Sequence, residues 1–315
     1  MTKYLTRRLI QLIPTMLIIY TLIFVLTYLM PGDPVRALYG EEVNRMTPEQ
    51  IEQIQARMGV NRPFLVQYGD FLARLVRLDF GESLIMRGEN VGDVISYRLP
   101  RTLQLMLGGL LVSLAIGIPA GIIAALKQYS WLDHTLMMLA LIGVSMPVFW
   151  QALLAQHLLT QSKYGIALFP VAGYGDGNLW YMVLPSLVLG TSLSASVARI
   201  TRSSMLEVKT QDFLITARAK GLPSMAILFR HHLSNALIPV ITIIGLQVSG
   251  LLTGSILTES VFNWPGLGRA TVSAIQSRDM PIIMGLMVYG TIIILIVNLI
   301  TDILYAVIDP RIRYS

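Results

Sequence analysis

The stretch TARAKGLPSMAILFRHHLSNALIP, residues 216–239, decides how the rest of this chain is read. It lies between two long apolar runs and is unlike either. Small residues fill its first half, and Arg218, Lys220, Arg230 and the pair His231–His232 add basic or titratable groups. Gly221-Leu222-Pro223 interrupts it. Glycine just past a helix end, with proline two residues on, is a stop signal. The spacing therefore predicts a short helix from about Met205 to Lys220 and a second from near Ser224 toward Pro239. Phe213, Ala217 and Gly221, spaced by four, share one face of the first. A short helix of small side chains on a firm turn lets another protein approach closely, and Arg218 and Lys220 would grip acidic groups at its rim. An ordinary basic loop explains the charge but not the turn or the alanine–glycine spacing.

The surroundings are membrane. The 315 residues are 54% hydrophobic and 13% charged, against roughly 25% charged in soluble domains. Six stretches reach the roughly 20 apolar residues that cross a bilayer: 9–30, 102–126, 135–159, 181–200, 236–258 and 282–305. The first follows Lys3, Arg7 and Arg8, is too long for a signal core and has no small-x-small site before Pro31, so it reads as an uncleaved span. Six spans put both termini on one side. That side carries Lys3, Arg7, Arg8, Lys127, Arg202, Lys209, Arg218, Lys220, Arg230, Arg311 and Arg313, and the opposite short loops only Lys163, Arg269 and Arg278. The positive-inside rule makes both termini and the opening stretch cytoplasmic. A net charge of +6, scattered around the apolar runs and never gathered in a stripe, argues against nucleic acid as a partner.

Residues 31–101 then face outward. They open with the turn PGDP (31–34) and continue as helix: Thr47-Pro48-Glu49-Gln50 combines an N-cap, proline at N1 and glutamine at N3. Ile51, Ile54 and Met58 follow on one face and Gly59 closes it; Phe64, Tyr68, Phe71, Leu72 and Leu75 mark a second amphipathic helix. The predicted organisation is an all-α membrane protein. Residues 1–30 hold the cytoplasmic N-terminus and first span, and 31–101 a small exterior helical subdomain at the outer mouth of the bundle. Residues 102–315 form a five-helix core with a cytoplasmic loop at about 201–235 and a cytoplasmic tail.

Strings that imitate enzymes lack their surroundings. DFG at 79–81 has no glycine-rich or catalytic loop to make it a kinase triplet. GYGD at 173–176 echoes an intramembrane aspartyl protease, but that chemistry needs two carboxylates sharing a proton. Asp176 sits in an outer loop, and Asp302 is the one acid inside a span. Such a protease would need no ATPase and would lose activity on Asp176→Asn. The absence of cysteine removes disulfides and thiolate sites. His134, His157, His231 and His232 form no i, i+4 pair, so no metal site is expected. No G-x-x-x-x-G-K-[ST] occurs, so any ATP that drives this chain is bound by another polypeptide. A channel or secondary transporter would instead work alone under an ion gradient.

Polar side chains in the spans, Gln104, Gln151, Gln156, Gln247, Asn298 and Asp302, mark helix–helix bonds or a pathway; Asn298 and Asp302 share a face. Gly108–Gly109, Gly117 with Gly121, and Gly250 with Gly254 allow close packing. Pro119, Pro147, Pro185 and Pro239 are expected to interrupt helices and open carbonyls toward a cavity.

The opening segment resembles the EAA loop of ATP-binding cassette importer permeases, roughly E-A-A-x3-G-x9-I-x-L-P. Aligned on Gly221, Ala217 and Leu233 match, whereas Ile215, Thr216, His231 and Ser234 depart. The form TARAKGL…RHHLSNALIPV is similar to that of the dipeptide, oligopeptide and nickel branch. So are RRLIQLIPT, PGDP, YGDFL…LDFGES, RLPRTLQL, GVSMPVFW, VLPSLVLG, ARITRSSMLEV, ESVFNWPGLGR and DILYAVIDPRIR, which together cover nearly the whole chain.

The resemblance implies the first permease subunit of a type I peptide importer in a bacterial or archaeal inner membrane. Its cargo would be di- or oligopeptides, with glutathione or nickel as alternatives. It implies a second homologous permease, two ATPase subunits that bind ATP and magnesium, and an extracytoplasmic binding protein; this chain itself holds no cofactor. Thr216, Ala217, Arg218, Ala219, Lys220, Gly221 and Leu222 take the position of the coupling helix. ATP-driven closure of the ATPases would move that helix and switch the permease from inward-open to outward-open. Glu259, Phe262, Trp264, Pro265 and Gly266 take the position of an exterior gate or binding-protein dock. Gln247, Asn298 and Asp302 remain candidates for the bundle interior.

Overall fold

A computed structural model describes residues 2–29, 34–83, 85, 88–160 and 167–308. Part of the PGDP turn (31–33), Lys163 and the tail with Arg311 and Arg313 lie outside the described residues. The helices are α1 (Thr2–Tyr28), α2 (Pro34–Tyr39), α3 (Pro48–Met58), α4 (Phe64–Arg77), α5 (Val91–Leu126), α6 (Trp131–Ser145), α7 (Val148–Thr160) and α8 (Trp180–Val208). They continue as α9 (Asp212–Ala219), α10 (Ser224–Ala226), α11 (Ser234–Val261), α12 (Leu267–Ser277) and α13 (Met280–Ile308). The chain divides into one compact unit of 1–100 with 269–295 and another of 101–268 with 296–315.

In the first unit, local chemistry sets the element boundaries. Thr47 caps α3 with the reciprocal Gln50 bond, and Gly59 ends it at φ +73°, a left-handed conformation that glycine adopts without strain. The amphipathic face of α4 lies on α1: Phe24 meets Phe64, Tyr68 and Phe71, Tyr28 meets Phe64 edge-on, and Tyr68 shares a hydrogen bond with Thr21. Residues 81–83 and 89–91 form a small ladder, with Ser83 N–H donating to the Glu89 carbonyl and Val91 N–H to that of Gly81. Ser83 Oγ donates to the buried Asp279 carboxylate at the start of α13.

The second unit is built on a glycine seam between α5 and α8. A Cβ on Gly109 would lie 2.9 Å from Leu189, one on Gly117 2.7 Å from Val197, and one on Gly121 2.5 Å from Thr201. On the opposite wall, a Cβ on Gly190 would lie 2.6 Å from the Gly109 carbonyl. Only hydrogen at these positions lets the backbones approach so far. Gly250 has open space around it and takes no part. The residue numbers rise together along the seam, so α5 and α8 run parallel. α11 runs antiparallel to α8, with Met205 beside Ala236 at one end and Leu189 beside Leu251 at the other.

The expected span 135–159 is not one helix. α6 and α7 meet at 106° around Met146-Pro147. Proline at 147 cannot donate to the ladder and excludes α conformation from the residue before it; Met146 is extended at φ −87°, ψ 127°. The carbonyls freed at the break are not abandoned, because Gln151 Nε2 donates to both Gly143 and Met146 at 2.9 Å. Two parallel helices joined by α6 and α7 require that the bent pair recross the layer, so it counts as one span. With the five long apolar helices the described residues then supply six. Pro119, Pro185 and Pro239, expected to interrupt their helices, lie inside α5, α8 and α11.

Candidate functional site

The opening segment folds as two elements on a buried underside. The fourth long helix runs on to Val208, further than expected, and α9 starts afresh at Asp212 after a turn at Lys209–Gln211. α9 closes at Lys220 with two bonds, Gly221 N–H to Arg218 (2.9 Å) and Leu222 N–H to Ala217 (3.4 Å). This is a Schellman motif. Gly221 stands at φ +73° with nothing within 4 Å of the place a Cβ would occupy. The buried face is Leu214 and Ala217, packed on Ile227 and Val208; Phe213, expected on that face, is exposed instead. Thr216, Arg218, Ala219, Lys220, Gly221 and Leu222 are exposed. Beside them Ile215, Met225 and Phe229 present 60%, 66% and 55% of their surface. The result is an apolar patch with a basic rim.

Between this patch and α11 the chain adopts a π-helix at Ile227–Leu233, a register associated with functional sites. His232 is buried there, and its Nε2 donates to the Met205 carbonyl at 2.6 Å. On the other side of α8, Arg202 makes a two-pronged ion pair with Asp133, Nε to Oδ1 at 2.6 Å and Nη2 to Oδ2 at 2.7 Å. The Asp133 side chain is 3% exposed, and it also accepts the Tyr129 N–H. The segment ahead of α9 is thus tied to α6 by an ion pair and to the turn before α11 by a histidine.

At the opposite end of the same unit, ESVFNWPGLG forms a closed knot. Glu259, Phe262, Trp264 and Gly266 are buried, and Pro265 is half-buried. Thr102 Oγ1 donates to Glu259 Oε1 (2.8 Å) and accepts the Leu267 N–H (2.8 Å). Trp264 Nε1 donates to the Arg101 carbonyl at 3.0 Å, its ring meets Tyr174 edge-on, and the Arg101 guanidinium lies 4.7 Å over Tyr174. Gly266 faces Glu259 so closely that a Cβ would lie 2.3 Å from the carboxylate.

Among the remaining candidates, Gln247 is half-buried in α11 and Asn298 is exposed on α13. The Asp302 side chain lies outside the described residues. Gln156 donates to the Val171 carbonyl at 2.8 Å, while Gln104 is exposed. Thr301 donates to the Gly245 carbonyl and joins α13 to α11. The break in the third span leaves an apolar hollow bounded by Gly143, Met146, Leu158, Val188, Thr191 and the polar Gln151. In GYGD, Tyr174 is half-buried against the knot, while Gly175 and Asp176 are exposed, with Asp176 at φ +51°. The ion pair, the knot and the π-turn each depend on partners distant in sequence and were not anticipated; Gln151, four residues after Pro147, carried a readable signal.

Comparison with known proteins agrees with this architecture. Residues 117–314 match the model of the binding-protein-dependent transport system inner membrane component, and residues 1–106 match its N-terminal companion. The chain is 39% identical to the dipeptide transport system permease protein DppB of Alkalihalophilus pseudofirmus and to that of Escherichia coli K12, over all of each chain. It is 38% identical, again over both full lengths, to the oligopeptide transport system permease protein AppB of Bacillus subtilis. Among solved structures, an inward-facing crystal form of the MetNI methionine ABC transporter aligns with a TM-score of 0.57 and 16% identity, covering 69% of this chain and 96% of that one. At that identity the likeness speaks for the fold, that of an ABC importer permease.

Proposed function

The chain belongs to the family of binding-protein-dependent transport system inner membrane components, and on that premise we propose that it is the permease subunit of an ATP-driven importer of di- or oligopeptides. The observation that carries this reading is full-length identity of 38–39% to dipeptide and oligopeptide permeases. The chain crosses the inner membrane, with both termini and α9 on the cytoplasmic side. It works with a second, homologous permease, two ATPase subunits that hold ATP and magnesium, and an exterior binding protein that delivers the peptide. It contributes no catalytic group of its own.

In this reading α9 and its turn are the ATPase dock. Thr216, Arg218, Ala219, Lys220 and Leu222 make the contact, Ala217 anchors the helix from beneath, and Gly221 sets the angle. Motion of the dock reaches the spans through Val208 and the π-turn. The knot around Glu259, Phe262, Trp264, Pro265 and Gly266 belongs to the exterior gate: buried side chains of this kind hold helix ends together and offer little to an approaching binding protein. Of the span candidates, the half-buried Gln247 serves the bundle interior near the pathway.

The test is purification of the tagged chain from its native membrane in mild detergent, followed by reconstitution with the proteins that accompany it. A second six-span permease and Walker-motif ATPases should co-purify, and labelled dipeptide should enter vesicles only with ATP and the binding protein. A chain that emerges alone, or that moves peptide without ATP, would sink the assignment.

A further inference from the structure

Helix α4 carries more apolar surface than its packing uses. Phe64, Tyr68, Phe71 and Leu75 form the face that lies on α1. A second apolar stripe, Leu65, Gly69, Leu72 and Val76, recurs at i, i+4, i+7 and i+11 on a different side. Leu65 and Val76 expose 76% and 85% of their surface, among the highest values for large apolar residues here. The charged residues Asp70, Arg74 and Arg77 are confined to the remaining arc, where Asp70 pairs with Arg62 at 2.9 Å. A helix standing in water with one neighbour would have one apolar face. This one has two.

The position of α4 along α1 identifies what meets the second face. α1 is a membrane span, apolar from Ile10 to Tyr28. Tyr68, near the middle of α4, bonds Thr21, seven residues before the end of that span, which at 1.5 Å per residue is about 10 Å below it. α4 therefore lies beside the part of α1 that sits within the hydrocarbon, not above it. Further along α1, on the face that carries Phe24 and Tyr28, Leu17, Ile13 and Ile10 expose 50%, 69% and 60% of their surface. α4 occupies on this face the place that lipid chains take lower down.

We propose that α4 is an interfacial helix, sunk into the leaflet on its own side of the membrane, whose Leu65–Gly69–Leu72–Val76 stripe contacts acyl chains and whose Asp70–Arg74–Arg77 arc faces headgroups and water. The segment after the first span is then a lipid-anchored wedge at the membrane surface rather than a cap held clear of it.

The chain has no cysteine, so single cysteines at 65, 72, 76, 74 and 77 can each carry a nitroxide in the full chain, reconstituted with its co-purifying subunits in phospholipid vesicles. Power-saturation spectroscopy reads collision with oxygen, which partitions into lipid, and with a water-soluble nickel chelate. Labels at 65 and 76 should collide several-fold more with oxygen than with the chelate, and labels at 74 and 77 the reverse. Chelate access at 65 and 76 equal to that at 74 would overturn the proposal in favour of water. Shielding of 65, 72 and 76 from both agents would overturn it in favour of a protein partner. The outcome does not depend on the cargo or on ATP, so it is separable from the transport reading.

Discussion

Substitution of Gly221 separates backbone cost from steric cost. Its φ of +73° is a left-handed conformation, and nothing lies within 4 Å of a Cβ built there. Alanine therefore meets no clash and bears only the left-handed penalty of about 1–2 kcal/mol, a factor of about 5–30 in the ratio of formed to unformed turn. Asparagine, whose side chain bonds locally in this conformation, should cost less. Proline cannot adopt a positive φ, removes the N–H that donates to Arg218, and disfavours the near-helical geometry of Lys220 (φ −76°, ψ 1°). It should abolish the Schellman closure. In vesicles holding the assembled transporter, peptide moved per ATP hydrolysed should fall in the order glycine, asparagine, alanine, proline, and proline should also release the ATPases during purification. Normal substrate-stimulated ATP turnover in Gly221→Pro would refute the reasoning, because the turn would then be irrelevant to coupling.

Three further outcomes follow from the second unit. Gly117→Ala puts a methyl 2.7 Å from Val197 and should cost about 1–3 kcal/mol as overpacking, visible as a lowered Tm in detergent, whereas Gly250→Ala, which meets nothing and removes a helix-interior glycine, should not lower Tm. Arg202→Ala strands a carboxylate that is 3% exposed and should cost about 3 kcal/mol, near the lower bound for breaking a buried pair; the double variant Asp133→Ala/Arg202→Ala should be less damaged than the single, and strict additivity in the cycle would deny the coupling. Gly266→Ala should destabilise the knot through its 2.3 Å clash with Glu259, and the loss should shrink in a Glu259→Ala background. An unchanged Tm for Gly266→Ala would show that the loop has room to shift.

What was legible beforehand was local. The Thr47 capping box, the closing role of Gly59 and Gly221, and the α5 glycines announce themselves within a few residues, because each requirement is met by its neighbours in sequence. Four span prolines looked equivalent, yet only Pro147 breaks its helix. Its distinguishing partner is Gln151, whose amide takes over the carbonyls that the break frees. The spacing puts Phe213 and Ala217 on one face of α9 but does not say which face turns inward; Val208 and Ile227 choose Leu214 and Ala217. Glu259 reads as a loop acid until Thr102, 157 residues earlier, is brought against it. The π-turn has no residue signature comparable to a capping box.

That long separation has a consequence for how the chain is made. Three bonds close the knot, joining Arg101 and Thr102 to residues 157, 163 and 165 positions later. At about 5–20 residues per second of synthesis, the start of the second span waits about 8–30 s after it emerges before Glu259 exists. The α5–α8 seam, complete once residue 201 has been added, forms in the interval and holds the nascent bundle in register. The knot thus shuts after the seam and before Thr301 ties α13 to α11, and ribosomes stalled before residue 259 would yield a seamed but unclasped intermediate.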